Sequence, residues 1–221
     1  MTLRDETIRK LRRYAELLAL ANEKVRLTGP RDPQTIFDEH IMDAVLALPF
    51  LDKSPGGRFA DIGTGGGIPG IVWAICRPDM NGVLIDSVGK KIAAVREIAD
   101  SLGLGNVEAV NARSEELASS RREFFDAAAA RAVSRSAVLA EYLSPLVKPG
   151  GRLIAFKGPG AAGELTVPGD AWRLLGLGKP SIYPYTAAGK KLCVVIWEKI
   201  SPCPKRFPRA PGEARRKPWR P

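Results

Sequence analysis

The stretch "RFADIGTGGGIPGIVWAI", residues 58–75, decides the fold. A short apolar run carrying Asp61 gives way to five glycines and a proline, and a second apolar run then opens with helical spacing. The order reads as strand, tight glycine loop, helix, the opening of a nucleotide-binding α/β unit. Two registers fit the loop. Gly65-x-Gly67-x-x-Gly70 satisfies the dinucleotide fingerprint G-x-G-x-x-G, which is weak evidence in a chain with 22 glycines. Asp61-x-Gly63-x-Gly65-x-Gly67 places an acid at the strand end instead. A dinucleotide needs the helix N-terminus open toward a pyrophosphate, which that acid opposes, whereas a cationic ligand is suited by it. The glycines let backbone approach a ligand closely, and Pro69 suits the first turn of the following helix.

Downstream, "GVLIDS", "VEAVNA", "FFDAAAARAV" and "RLIAFKG" read as strands, separated by "KKIAAVREIADSLGL" and a helix around 136–147. Strands alternating with helices of this length imply a parallel, doubly wound sheet. After Lys179 the pattern changes to "SIYPY" and "KLCVVIWEK", joined by a connection too short for a crossover, so the sheet ends in an antiparallel hairpin. Upstream, Leu3, Ile8, Leu11, Ala15, Leu18 and Val25 mark one face of an amphipathic helix expected to dock on the main domain. A second helix is expected over 33–48, with Asp32 as N-cap before Pro33. "SPGG", 54–57, marks a boundary. The organisation is a helical extension over 1–55, an α/β domain over 56–200 and a tail over 201–221.

With 221 residues, 45% apolar and 26% charged, the chain suits one globular domain with a small appendage. Its three cysteines, Cys76, Cys193 and Cys203, have neither metal-ligand nor disulfide-framework spacing. No apolar run approaches the ~18 residues of a membrane span, and the N-terminus lacks a signal-peptide pattern. A soluble, cytoplasmic, monomeric protein without metal or membrane is expected. The net charge is +10, and the tail "SPCPKRFPRAPGEARRKPWRP" carries most of the excess. Rich in Pro, Arg and Lys, it is expected to be extended and mobile on its own. It reads either as a solvated end or as an arm for RNA phosphates, with Phe207 and Trp219 free to stack on bases.

The D-x-G-x-G-x-G register resembles the loop of the class I S-adenosylmethionine-dependent methyltransferases. Asp86, ending the second strand, suits the ribose hydroxyls of either nucleotide cofactor. In "NARSEEL", Ser114 and Glu115 fall just after strand three, where this class contacts adenine; Ser114 also reads as the N-cap of a short helix. More specifically, "DIGTGGGIPGI", "LIDSVGKKIAAVREI", "NARSEEL", "DAAAARAVS", "LVKPGGRLIAFKG" and "KLCVVIWEK" together resemble the RsmG (GidB) family of bacterial 16S rRNA guanine-N7 methyltransferases. The likeness extends to "NEKVRLTG", "EHIMDAV" and "KRFPRAPG", nearly the whole chain in order.

That resemblance implies an α/β class I methyltransferase fold, a Rossmann-like doubly wound sheet with an antiparallel C-terminal strand and an N-terminal helical extension. It also implies S-adenosyl-L-methionine as cofactor and the 16S rRNA of the 30S subunit, or its assembly intermediate, as partner. The implied target is N7 of guanine 527 in the 530 loop. The implied cofactor contacts are Asp61, Gly63, Gly65, Ile68, Asp86, Ser87, Ser114, Glu115 and Arg131, with Arg131 also readable as a plain ion-pair partner. Arg131 and Lys157 are candidates for placing RNA or stabilising charge. Guanine N7 already offers an in-plane lone pair, so no general base is required. The lone histidine, His40, is read as structural. Pro202-Cys203 lies in the tail and is not read as a nucleophile. An NAD(P)-dependent oxidoreductase and a non-catalytic RNA-binding protein stay open as alternatives.

Overall fold

The computed structural model describes residues 3–51, 56–166 and 171–219. Helix α1 (Asp5–Lys24) buries Leu11, Tyr14, Ala15, Leu18 and Ala19, spaced three and four apart as one helical face. Asp5 and Glu6 in its first turn and Lys24 in its last complement the helix dipole. Asn22 then folds the chain back: its Oδ1 accepts from the backbone N–H of Leu27 (2.7 Å) and Thr28 (3.1 Å). The expected N-cap holds, because Asp32 Oδ1 accepts from Thr35 N–H at 2.9 Å with Pro33 opening α2 (Pro33–Ile36). The helix does not run on as one α segment. A π turn over Phe37–Ile41 separates α2 from α3 (Met42–Leu46). Part of the expected boundary, Ser54 and Pro55, lies outside the described residues.

The core alternates as read: β1 (Arg58–Ile62), α4 (Gly70–Cys76), β2 (Asn81–Asp86), α5 (Gly89–Ser101), β3 (Val107–Asn111), α6 (Ser114–Ser120), β4 (Phe125–Arg131), α7 (Ser136–Leu143) and β5 (Val147–Lys157). A four-residue α8 (Ala161–Glu164), the hairpin β6 (Ser181–Ala187) and β7 (Lys190–Glu198), and a short α9 (Glu213–Arg216) follow. The described strands form one sheet in the order β3-β2-β1-β4-β5-β7-β6, with β1 to β5 pairing in parallel and β7 antiparallel to both β5 and β6. The order reverses between β1 and β4. Open α/β sheets bind ligands at the carboxyl ends of strands flanking such a reversal.

The period-two alternation of strand side chains divides the core into two faces. Phe59, Leu84, Ala127, Ala129, Ile154 and Ile196 pack with the N-terminal helices, α4 and α5. Ala60, Ile62, Ile85, Ala128, Leu153 and Trp197 pack with α6, α7 and the C-terminal segment.

The tail is where the expectation of an extended, mobile arm is overturned. Phe207 and Trp219 are buried in the second face of the core, and Trp219 meets Trp172 edge-on at 5.5 Å. Neither ring is free to stack on a base. The partners that fold this segment are distant in sequence: Arg122 donates to the carbonyls of Cys203, Pro204 and Phe207 at 2.6–2.9 Å, and the fully buried Glu141 receives Arg209 through both carboxylate oxygens. The apolar residues turn inward while Lys205, Arg206, Arg216 and Lys217 stay exposed.

Candidate cofactor site

The glycine loop is built on β1 and held from below. Gly63 and Thr64 N–H both donate to Ile85 O of β2, at 2.8 and 2.9 Å, and the chain turns through positive φ at Gly63, Gly65 and Gly67. At Gly63 a side chain is excluded twice, by φ +71° and by Val133, whose Cγ2 would lie 2.6 Å from an added Cβ. The N-terminal extension grips the loop from the other side. Tyr14 donates its hydroxyl to Gly66 O at 2.9 Å, and a Cβ on Gly66 would come within 2.7 Å of Leu18 Cδ1. Pro69 sits at the N-cap of α4, one residue ahead of the first turn where it was expected, and follows a cis peptide.

Asp61 does not line the cleft. Its carboxylate is fully buried under the loop, where Oδ2 accepts from Thr64 Oγ1 (2.6 Å) and Gly70 N–H (2.9 Å). Oδ1 is buried without a hydrogen-bond partner. Burial raises its pKa to about 6 against those two hydrogen bonds. In this structure the Asp61 carboxylate braces the loop from beneath. Ile68 packs into the N-terminal core face.

A cleft of about 320 Å³ opens at the carboxyl ends of β1, β2, β3 and β4 and collects Gly63, Asp86, Ser87, Ser114 and Glu115. Ile62, Ile85, Val88 and Val133 supply apolar wall. Asp86 accepts one backbone N–H on each oxygen, from Gly65 (3.1 Å) and Val88 (3.0 Å), so each keeps a lone pair for a ligand hydroxyl. Gly65 thus acts through Asp86. Ser114 is not the N-cap of α6; Arg113 is, and Ser114 donates its hydroxyl to Glu115 Oε2 at 2.9 Å.

Arg131 and Lys157, at the ends of β4 and β5, are both tied down outside this cleft. Arg131 donates to His40 O (3.2 Å), contacts His40 Nδ1, and pairs with Asp43 Oδ2 at 3.4 Å. The ion-pair reading of Arg131 is the one observed. Asp43 in turn accepts from the Tyr185 hydroxyl. Burial and the Arg131 charge push the pKa of His40 down to about 4, so the ring is a neutral structural partner, as read from the sequence. Lys157 Nζ donates to Ser134 O (2.8 Å) and Glu164 Oε2 (2.7 Å). The same cleft also holds residues that sequence reasoning missed, among them Lys91, Arg113, Tyr142, Gly212 and Arg215.

With that geometry in place, comparison with known proteins is specific. The family model for rRNA small subunit methyltransferase G (GidB) matches residues 7–192. The chain belongs to this family. A ribosomal RNA small subunit methyltransferase G of Moorella thermoacetica is 36% identical over 222 residues, covering 99% of this chain and 92% of its own length. Another, of Rubrobacter xylanophilus, is 39% identical over 222 residues, covering 97% and 85%. Among solved structures, an rRNA methylase from Streptococcus thermophilus superposes with TM-score 0.53 at 18% identity, over 72% of this chain and 95% of the other. TrmN from Thermus thermophilus gives 0.56 at 22% identity, over 71% and 48%. At those identities the likeness is one of fold, the Rossmann-like class I arrangement with an added N-terminal helical extension. Membership of the methyltransferase G family removes the oxidoreductase reading of the glycine loop.

Proposed function

We propose that this chain transfers a methyl group from S-adenosylmethionine to N7 of guanine 527 in the 530 loop of 16S rRNA, acting as a cytoplasmic monomer on the 30S subunit or an assembly intermediate. The observation that carries the reading is the family match over residues 7–192 with relatives aligned over nearly the whole chain, supported by a cleft at the sheet's reversal point that holds Asp86, Ser114 and Glu115. The residues suit the cofactor: Asp86 has free lone pairs for ribose hydroxyls, Ser114 and Glu115, proposed to meet adenine, share its cleft, and Gly63 leaves room where a side chain would not fit. When bound, S-adenosylmethionine supplies an electrophilic methyl on a sulfonium.

What the protein adds is position. Guanine N7 presents its lone pair in the ring plane and loses no proton on attack, so the chain needs no general base, and neutral His40, held by Arg131, serves as a structural partner. Alignment of reacting groups accounts for roughly 7–11 kcal/mol of a barrier in favourable systems. N7 in a paired A-form helix lies in a groove too deep and narrow to reach, which favours a loop or an opened substrate. Arg131 and Lys157 act, on this reading, by holding the N-terminal helices and the segment after β5 at the rim where RNA arrives.

The test is methyl transfer from labelled S-adenosylmethionine to 30S subunits lacking their native modification, mapped by strand cleavage at 7-methylguanine. One labelled guanine in the 530 loop is expected. Tight cofactor binding with label elsewhere, or none, would overturn the target.

A further inference from the structure

One wall of the cleft is supplied by a part of the chain far from every glycine motif. Gly212 and Arg215 line it, beside Tyr142 of α7. Gly212 N–H donates to Glu115 Oε1 at 3.0 Å, so the tail closes directly onto the carboxylate that follows β3. Arg215 donates from Nη2 to Val133 O at 3.1 Å, and Val133 is the residue that packs over Gly63. The Tyr142 hydroxyl lies within the fields of both Glu115 and Arg215. The segment is not loosely laid there: Arg209 on the buried Glu141, and Trp219 Nε1 on Ala137 O at 2.7 Å, anchor it on either side.

We propose that the C-terminal segment is an integral wall of the cofactor site and that Arg215 binds the adenosyl end of S-adenosylmethionine. The inference rests on the proposed use of that cofactor. Placement decides which end Arg215 meets. The methionyl end carries a carboxylate that attracts a guanidinium beside a sulfonium and an ammonium that repel it, whereas adenine offers a π face and ring-nitrogen acceptors that suit a planar cation. Ser114, Glu115 and Asp86, the groups suited to adenosine, share this cleft with Arg215. Arg215 is exposed, and Val133 O occupies one of the five N–H donors of its guanidinium. Its flat face and the donors engaged by neither Val133 O nor the Tyr142 hydroxyl serve the ligand.

The experiment is equilibrium binding of S-adenosylhomocysteine and of 5′-methylthioadenosine, which lacks the amino-acid end, to the full chain. Arg215→Ala is expected to weaken both by about tenfold, some 1.4 kcal/mol, with the melting temperature unchanged. Arg215→Lys, which keeps the charge without the plane, is expected to restore only part. Lys205→Ala, exposed on the same segment, is expected to bind as wild type. In the wild type, S-adenosylhomocysteine is expected to slow tryptic cleavage within 205–217. Equal affinity of Arg215→Ala and wild type, or absence of protection, overturns the proposal. A loss confined to S-adenosylhomocysteine overturns the adenosyl assignment by placing Arg215 on the methionyl carboxylate. If the wild type binds neither ligand, it is the proposed cofactor that fails.

Discussion

Beneath the glycine loop, Asp61 trades one unsatisfied oxygen for two hydrogen bonds that fix Thr64 and the start of α4. A carboxyl whose folded pKa is raised from 3.8 to about 6 prefers the neutral state in the fold. Its stabilising effect is therefore complete below the unfolded value and is lost as pH rises through about 6. The full cost is about 3 kcal/mol for a displacement of two units. Urea unfolding of wild type and Asp61→Asn should show the wild type losing ground to the variant by about that amount between pH 4 and 7. A constant difference would mean that the carboxylate ionises there without penalty. At Gly63 the constraint is steric. Gly63→Ala combines a positive φ with a 2.6 Å clash against Val133, and cofactor affinity is expected to fall at least tenfold by calorimetric titration.

The elements most distinctive of this chain are the two that reinforce the loop and cleft from opposite sides. Helix α1 holds the loop through Tyr14 and Leu18. Tyr14→Phe removes the only hydroxyl that Gly66 O receives from the helix, and the expected loss is about 1 kcal/mol of stability. Amide exchange at 64–67 is expected to quicken with it; unchanged exchange would detach α1 from the loop's rigidity. On the other side the tail depends on Glu141, fully buried and paired with Arg209. Arg209→Ala strands that carboxylate, and chemical unfolding should register a loss of about 3–5 kcal/mol. Glu141→Leu with Arg209→Leu is expected to recover most of it.

These elements also mark what the sequence could and could not disclose. The strands, their order of appearance and the hairpin follow from local alternation and turn residues. Asp32 as a cap, Asp86 at a strand end and Gly63 in a tight turn are equally local facts. The tail was misread because its composition is that of a mobile arm, while the groups that fold it, Arg122 and Glu141, lie 68–85 residues away in sequence. Arg215 was invisible for the same reason. Arg131 announced itself by its place at a strand end, but its partners His40 and Asp43 lie in the helical segment expected over 33–48, and a separation of 91 residues between Arg131 and His40 hides their pairing from local patterns. Asp61 was placed at the correct strand, and its bonds beneath the loop to Thr64 and Gly70 are a feature that its spacing alone does not show.

At the scale of the molecule, charge is the controlling quantity. A net +10 with Lys205, Arg206, Arg216 and Lys217 exposed on a packed tail makes a fixed cationic surface. Affinity for RNA should fall linearly in log–log plots against salt, with a slope near 0.7 to 0.9 per phosphate neutralised. Lys205→Ala with Arg206→Ala is expected to lower that slope by about 2 if both meet phosphates, with cofactor affinity untouched. An unchanged slope would move the RNA to another face. No described helix is long and apolar enough to cross a membrane.

The strand order has a consequence in time as well as in space. β1 precedes every other strand in the chain yet lies inside the sheet, and its second neighbour comes late: Arg58 and Asp126, bonded across β1 and β4, are 68 residues apart. Until β4 arrives, one side of an apolar strand has no native partner. Closing so long a loop before any burial rewards it is slow, and a bare strand edge in the interval invites pairing with another chain. The interval between the completion of β2 and the docking of β4 is therefore one that favours aggregation, and one in which a chaperone has an exposed strand edge to shield.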